Sequence, residues 1–151
     1  MDKIELVNKL QSLIKLDIDA VRSYDQAIER ITDVDIRRQL EIFREDHSRH
    51  VDVITNLVRS YGEVPTSASP DLKGFFLEGF TAIQSMMGTE AALKAMRTNE
   101  KETNRQYADA QSLDLPADVL RVLEKNYADE RRHLEYVDLA LAEKKWELSH
   151  V

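Results

Sequence analysis

The residues that interrupt helices are confined to one stretch of this chain. All four glycines and two of the three prolines fall between residues 62 and 88, and the remaining proline is Pro116. Long segments on both sides therefore contain almost nothing that breaks a helix. A chain of 151 residues is long enough to bury a sizeable core, and we expect one domain over residues 1–151.

Apolar residues in both long segments recur at intervals of three and four, which is typical of helices with one buried face. The first segment shows this pattern over residues 7–31 and again over 36–61, and Thr32 and Asp33 between the two runs are expected helix N-cap residues. The second segment predicts two further helices, with Thr89 and Asp114 as their expected caps. The chain is therefore predicted to contain four long helices.

These helices form two predicted antiparallel hairpins, at about residues 2–61 and about 89–147, joined by a long crossover at 62–88 that contains a short helix. Two tight hairpins with one long crossover are the ferritin-like arrangement of an all-α four-helix bundle. The large apolar side chains of the crossover either cover the bundle flank or form a homodimer interface. They are Phe75, Phe76, Phe80, Met86 and Met87.

The two hairpins are related by an internal repeat. When the sequence is shifted by 83 residues, ten of the 38 positions from 17 to 54 are identical, against about two or three expected by chance. Eight of the ten are charged, His or Tyr, so shared apolar periodicity does not explain them. The matched polar pairs include Tyr24/Tyr107, Asp46/Asp129, Arg49/Arg132 and His50/His133.

Six polar residues lie on the predicted inner faces, where apolar residues are expected. They are Asp17, His47, His50, Glu100, Glu130 and His133. At about 1.5 Å per residue, each hairpin places its three roughly 23 Å from its own turn. If both turns lie at the same end, all six share one layer at mid-bundle. Three carboxylates and three imidazoles suit a divalent ion such as iron, manganese or zinc better than calcium or magnesium.

Residues 129–133 have the sequence Asp-Glu-Arg-Arg-His, which resembles the D-E-x-R-H motif of di-iron carboxylate proteins. Glu100 and Tyr107 match the preceding helix of those proteins. The whole chain resembles a bacterial group of small ferritin-like four-helix-bundle proteins of unknown function, some of them linked to stress responses. The resemblance implies that Glu100 is a terminal ligand, Glu130 a bridging carboxylate and His133 an imidazole ligand.

The first hairpin departs from this pattern at two positions. His47 replaces the bridging glutamate, and Asp17 replaces the glutamate of the first helix with a side chain one methylene shorter. Both changes disfavour a symmetric oxygen-activating di-iron centre. They favour an altered dinuclear site, a single metal ion, or a redox-inert zinc ion.

A second set of polar residues surrounds the six. The resemblance implies that Asp129 and Arg132 orient a histidine, and the repeat extends this role to Asp46 and Arg49. The alternative is that the aspartates form surface salt bridges with the histidines four residues later. For Tyr24 and Tyr107, core packing with a satisfied hydroxyl is favoured over a redox role.

Composition excludes several classes of function. The chain has no cysteine, which excludes thiolate metal sites and thiol catalysis. With 21 Lys and Arg against 28 Asp and Glu, the formal charge of −7 argues against nucleic acid or an anionic membrane as a partner. Since no apolar run approaches 20 residues and the N-terminus does not resemble a signal peptide, we expect a cytoplasmic protein.

The leading functional hypothesis is a ferritin-like metal-binding bundle in iron handling or in protection from oxidative or general stress. If the metal is iron, the protein would be an oxidoreductase that oxidises Fe(II) with dioxygen or peroxide. A second hypothesis is a non-catalytic stress or interaction protein whose buried polar residues bind no metal. A third is a metal-dependent hydroxylase or hydrolase, for which a substrate pocket should open near the layer.

Overall fold

The protein is an all-α bundle, which confirms the predicted fold class. A computed structural model describes residues 1–66 and 88–148, and these contain no β-strand. The predicted crossover helix and its Phe and Met cluster lie outside the described residues. The helices are α1 (Lys3–Arg30), α2 (Val34–Ser60), α3 (Thr89–Gln111), α4 (Ala117–Glu143) and the one-turn α5 (Lys145–Leu148).

Aspartate caps begin both helices of the first hairpin. The Asp2 side chain accepts a hydrogen bond from the Glu5 N–H at 2.8 Å, and Asp33 accepts one from the Ile36 N–H at 3.0 Å. Each bond satisfies a backbone donor that has no partner within its helix. The predicted cap at Asp33 is therefore confirmed.

The caps predicted for the second hairpin are wrong. Gly88, not Thr89, precedes α3, with a φ of 108° that residues with a side chain rarely adopt. Pro116, not Asp114, is the N-cap of α4, and its carbonyl accepts the first helical hydrogen bond from the Leu120 N–H. Neither helix has a side-chain cap, because the residue that leaves the helical conformation cannot itself provide one.

The two hairpin turns lie at opposite ends of the bundle, and not at the same end. Ile31, beside the first turn, belongs to an apolar cluster with Leu93 near the start of α3 and Val137 near the end of α4. The second turn is flanked by Ala110 and Val119, which belong to a different cluster. The layer nevertheless forms, because its residues lie near the middle of every helix and are far from either end.

Apolar packing therefore divides into two clusters, one towards each end. α1 packs along α2 and against α3, and α3 packs along α4. One cluster contains Leu10, Ile14 and Leu123, and the other contains Ile28 and Leu40, all buried. Burying each such side chain stabilises the fold by about 1.5–3 kcal/mol, which supports the polar layer between the clusters. No helix of the described residues is long and apolar enough to span a membrane.

Candidate metal centre

The six polar residues predicted on the inner faces meet between the two apolar clusters, and we call them the polar layer. Every one of them is fully buried. All four long helices contribute, so the layer depends on the packing of both hairpins. The contributions are Asp17 from α1, His47 and His50 from α2, Glu100 from α3, and Glu130 and His133 from α4.

The layer contains two groups of residues that could each hold a metal ion. Within each group, one donor atom from every residue lies within 4.8 Å of all the others. The first group is Asp17, His47, His50 and Glu130, and the second is His47, Glu100, Glu130 and His133. His47 and Glu130 belong to both groups, as expected for residues at the centre of the layer.

Short distances join the donor atoms of the first group. Asp17 Oδ1 lies 2.7 Å from His47 Nδ1 and 3.2 Å from His50 Nδ1. Glu130 Oε1 lies 3.3 Å from His47 Nδ1 and 3.2 Å from His50 Nδ1. Two carboxylate oxygens and two imidazole nitrogens therefore face one another.

The second group is more open. His47 Nε2 lies 3.1 Å from Glu100 Oε1, so the two nitrogens of this ring face different groups. His133 Nδ1 lies 3.4 Å from Glu100 Oε1 and 3.6 Å from Glu130 Oε2. Each group contains two carboxylates and two imidazoles, but the two are not equivalent in geometry.

The outer nitrogens of two histidines are held across the hairpins. His50 Nε2 lies 2.9 Å from Asp129 Oδ2, and His133 Nε2 lies 2.8 Å from Asp46 Oδ2. These pairs differ from the alternative considered from the sequence, in which each histidine pairs with the aspartate four residues earlier. An aspartate of the opposite hairpin faces each ring, because the polar layer lies between the hairpins. Such a partner fixes the ring orientation and leaves Nδ1 available to a metal.

Two arginines connect these aspartates. Arg49 Nη1 lies 3.2 Å from Asp46, and Arg49 Nη2 contacts Asp129. Arg132 lies 3.1 Å from Asp129 and 2.9 Å from Asp46. About half of each arginine side chain is exposed, whereas both aspartates are buried. These four residues thus cover one side of the polar layer and join α2 to α4.

Both tyrosines singled out in the sequence contact the layer from the opposite hairpin. Tyr107 donates its hydroxyl to Asp17 Oδ2 at 2.5 Å, and the Tyr24 hydroxyl donates to Glu100 Oε1. Both side chains are fully buried. Their hydroxyls are thus satisfied by layer carboxylates, and they restrict the positions of Asp17 and Glu100.

Sequence analysis assigned no role to two residues that contact the glutamates of the second hairpin. The Thr103 hydroxyl lies 2.9 Å from Glu130 Oε2 and 3.0 Å from Glu100 Oε2. Asn104 donates to the backbone carbonyls of both glutamates, at 2.9 and 2.7 Å. The repeat offered a signal, since the equivalent residues 83 positions earlier are Ala20 and Val21.

Burial disfavours the charged form of every layer residue, yet the neighbouring groups reverse its effect on the histidines. Glu130 and Glu100 raise the pKa of His47 well above its usual value despite this burial. Burial also lowers the pKa of His50, but Asp17 and Glu130 outweigh it and raise this pKa to about 9. Glu100 and Asp46 raise that of His133 to about 10. In the metal-free protein these pKa values favour imidazolium groups at neutral pH.

The carboxylates shift in the complementary direction. Burial would raise the pKa of Glu100, but His133 and His47 hold it well below its usual value. Burial is also outweighed for Asp46, whose pKa is lowered to about 2 by His133, Arg49 and Arg132. Buried ion pairs therefore compensate the layer when no metal is bound.

Two buried atoms of the layer nevertheless have no hydrogen-bond partner. They are Glu130 Oε1, on the side of the first group, and His133 Nδ1, on the side of the second. Glu130 Oε1 lies 3.3 Å from His47 Nδ1 and 3.2 Å from His50 Nδ1, so its contacts in the metal-free protein are ion pairs with these two rings. An unpartnered buried acceptor is costly and would be satisfied by a cation. The mixed oxygen and nitrogen donors fit iron, manganese or zinc.

Fold and site together define a ferritin-like four-helix bundle with a buried layer of carboxylates and imidazoles. Residues 5–112, more than half of the chain, match the family described as a domain of unknown function (DUF2383), so the protein belongs to that family. This match agrees with the predicted group of unknown function, and the solved structure described next confirms the predicted ferritin-like fold.

A solved structure supports the same fold. It is described as that of ferritin like, diiron-carboxylate proteins from Bacillus anthracis str. Ames, and the chain is 19% identical to it with a TM-score of 0.73. The match covers 93% of this chain and 99% of that chain. At this identity the likeness shows a shared fold. No protein of curated function matches the sequence significantly.

Proposed function

We propose that this protein binds a divalent metal ion in its polar layer, with iron as the first candidate and manganese or zinc as alternatives. The observation that carries the proposal is the convergence of six fully buried donor residues, in which Glu130 Oε1 and His133 Nδ1 lack partners. A bound cation would satisfy the unpartnered carboxylate oxygen and offset the burial of the three carboxylates. The proposed ligands are drawn from Asp17, His47, His50, Glu100, Glu130 and His133.

Residues around the layer would orient these ligands. Asp129 and Asp46 hold the outer nitrogens of His50 and His133, and both aspartates are in turn held by the two arginines. Tyr107 and Tyr24 donate to Asp17 and Glu100. Outer partners of this kind fix ligand orientation and contribute about 10–100-fold to metal affinity. The outer set is Asp46, Arg49, Asp129, Arg132, Tyr24 and Tyr107.

We further propose a role in iron handling or in protection from oxidative or general stress. If the bound ion is Fe(II), it would be oxidised by dioxygen or peroxide. The expected enzyme class is therefore an oxidoreductase. The chain itself would hold the ion and exclude bulk water from it, since all six layer residues are fully buried.

Metal analysis tests the proposal directly. Protein prepared without a His-tag or chelator is expected to contain iron, manganese or zinc at close to a stoichiometric amount. Anaerobic Fe(II) titration of the metal-free protein should raise its thermal stability, by about 2.7 kcal/mol when free metal is 100 times the Kd. If no metal is present after purification and none binds in the titration, the proposal fails.

A second candidate function is a structural bundle whose layer binds no metal. The observation that favours it is the set of ion pairs, which compensates most of the layer without a cation. The double change His50→Ala, His133→Ala separates the two. A metal site would lose its metal-dependent stabilisation, whereas a structural layer would lose the same stability with and without metal.

The hydroxylase or hydrolase hypothesis has less support. Among the described residues, a groove of about 290 Å³ lies between α1 and α2, beside the first hairpin's part of the layer. The layer residues themselves are fully buried, so the groove does not open onto them. The lining residues are Ile18, Val21, Arg22, Ser48, Val51 and Asp52.

Two further proposals come from the sequence alone. We propose a homodimer formed through the apolar crossover, whose Phe and Met residues lie outside the described residues, and a cytoplasmic location. Light scattering on the purified protein measures the oligomeric state. A monomer at all concentrations would exclude the dimer.

A further inference from the structure

His47 occupies the central position of the layer that Glu130 occupies in the other half of the repeat. Its ring lies between two carboxylates, with Nδ1 2.7 Å from Asp17 Oδ1 and Nε2 3.1 Å from Glu100 Oε1. One nitrogen therefore faces the first group of donors and the other faces the second. The other shared residue, Glu130, directs Oε1 to the first group and Oε2 to the second.

An imidazole and a carboxylate impose different spacings on two metal ions. A bridging carboxylate suits ions about 3.5–4 Å apart, as in common two-metal sites. The two lone pairs of an imidazole ring diverge, so with metal–nitrogen bonds of about 2 Å it would hold two ions roughly 6 Å apart. An imidazole that bonds two metal ions would also have to lose the protons of both ring nitrogens. His47 and Glu130 therefore cannot both bridge the same pair of ions without conflict.

The first group is the more complete of the two. Its inner atoms are 2.7–3.3 Å apart along the four measured carboxylate–imidazole distances. Donor atoms bonded at about 2.0–2.2 Å to one ion have similar separations. Glu130 Oε1, the carboxylate oxygen without a partner, lies in this group.

Every ligand of the first group is also held at its outer atom. Tyr107 donates to Asp17 Oδ2 at 2.5 Å, and Thr103 donates to Glu130 Oε2 at 2.9 Å. His50 Nε2 is 2.9 Å from Asp129. His47 Nε2 is 3.1 Å from Glu100 and can donate to it, as a metal-bound histidine donates to an outer carboxylate. The inner atoms therefore contact only one another, and an ion that displaces the ring protons between them could bind all four residues.

Glu100, by contrast, is already used by its neighbours. Its Oε1 both accepts from Tyr24 and faces His47 Nε2. His133 Nδ1 is 3.4 Å or more from the carboxylate oxygens of the second group. Resting on the proposed metal function, we propose that the protein binds one divalent ion tightly, through Asp17, His47, His50 and Glu130, and that Glu100 orients His47.

Anaerobic titration with Co(II) tests this, because its visible absorption reports each ligand environment. The wild-type protein is expected to saturate at one tightly bound ion per chain, and Mn(II)-loaded protein should give the electron paramagnetic resonance spectrum of an isolated ion. Two tight ions, or the spectrum of a coupled Mn(II) pair, would overturn the inference while leaving the proposed function intact. If Co(II) does not bind at all, the single-ion inference and the proposed metal-binding function both fail.

The repeat provides a matched pair of variants. His50→Gln should weaken Co(II) binding more than about 100-fold, beyond the loss of an outer partner, whereas His133→Gln should weaken it about tenfold at most. Equal losses in the two variants would contradict the assignment. Circular dichroism checks that both variants fold. If His50→Gln does not fold, His47→Glu is tested in its place. A carboxylate at position 47 should raise the stoichiometry from one bound ion to two. A stoichiometry that stays at one ion would count against the role assigned to His47.

Discussion

The two hairpins of this bundle descend from one sequence pattern but contribute differently to the polar layer. The second hairpin keeps two glutamates and a histidine, and Thr103 and Asn104 hold those glutamates. The first hairpin has a shorter carboxylate, Asp17, a histidine at the central position, and apolar Ala20 and Val21 where the polar pair would be. The comparison teaches that the repeat conserved the outer framework more strictly than the central residues.

The outer framework is symmetric because each part of it bridges the hairpins. Asp46 of the first hairpin contacts His133 of the second, and Asp129 of the second contacts His50 of the first. Changing one member of this framework would therefore disturb both hairpins at once. The predictions below compare matched residues of the two hairpins in the metal-free protein.

The largest loss of folding stability is expected when the pH is raised, because all three buried histidines of the layer then lose their ion pairs. Each has its pKa raised above the usual 6.5, to about 9 for His50 and about 10 for His133. Their contribution to stability is fully present below pH 6.5 and is lost as the pH rises through 9 and 10. Urea denaturation between pH 6 and 10.5 measures it.

Nuclear magnetic resonance sharpens the comparison, since His50 of the first hairpin should titrate before His133 of the second. Metal-loaded protein is the control, because the ion replaces protons on its ligands and should reduce the alkaline loss. Metal-free stability that stays constant from pH 7 to 10 would contradict the assigned ion pairs.

The next effect is that of neutralising the carboxylates of α1 and α3. Asp17→Asn and Glu100→Gln each remove one charged partner from two buried histidines, which keep other carboxylate contacts, so the loss of unfolding free energy at neutral pH should reach at most about 3–5 kcal/mol. Asp17 should give the larger loss, because its histidine contacts are 2.7 and 3.2 Å, against 3.1 and 3.4 Å for Glu100. Urea denaturation followed by circular dichroism tests both. Losses below about 1 kcal/mol would show that the pairs contribute little net stability.

A smaller effect is expected from removing the tyrosine hydroxyls. Tyr24→Phe and Tyr107→Phe each delete a hydrogen bond to a buried carboxylate, worth about 1.5–3 kcal/mol. Tyr107→Phe should cost more, because its hydroxyl also accepts from Asn126 at 3.3 Å, and the repeat equivalent of Asn126 is Phe43. Thermal unfolding compares them with Tyr127→Phe, a half-buried control outside the layer. The reverse order of Tyr24 and Tyr107 would contradict this asymmetry.

The smallest effect is expected for the arginines. Arg49→Gln and Arg132→Gln remove half-exposed ion pairs and should each cost up to about 1 kcal/mol, less at high salt. The two losses should be equal, since each arginine joins one aspartate of each hairpin. Chemical denaturation at low and high ionic strength measures both. A loss from only one arginine would break the symmetry of the outer framework.

Much of the fold could be predicted because its signals are local. Helix periodicity and the confinement of glycine and proline to residues 62–88 and Pro116 indicated four long helices, and polar residues at buried positions indicated the layer. Sequence alone could not assign His50 to Asp129, because the aspartate four residues earlier was an equally good partner on one helix face. Both caps of the second hairpin were also misplaced, because side-chain preference favours Thr89 and Asp114, whereas these helices begin after Gly88 and Pro116 without a side-chain cap.

What the sequence by itself determined is which side chains are buried at mid-bundle, because helical periodicity assigns each residue to a face. The tertiary structure decided which of them meet. The two turns lie at opposite ends of the bundle. Side chains of one hairpin therefore meet side chains of the other, as His50 meets Asp129 and His133 meets Asp46. It also decided that the two donor groups are unequal, because angles and distances within a buried layer depend on how four helices pack together.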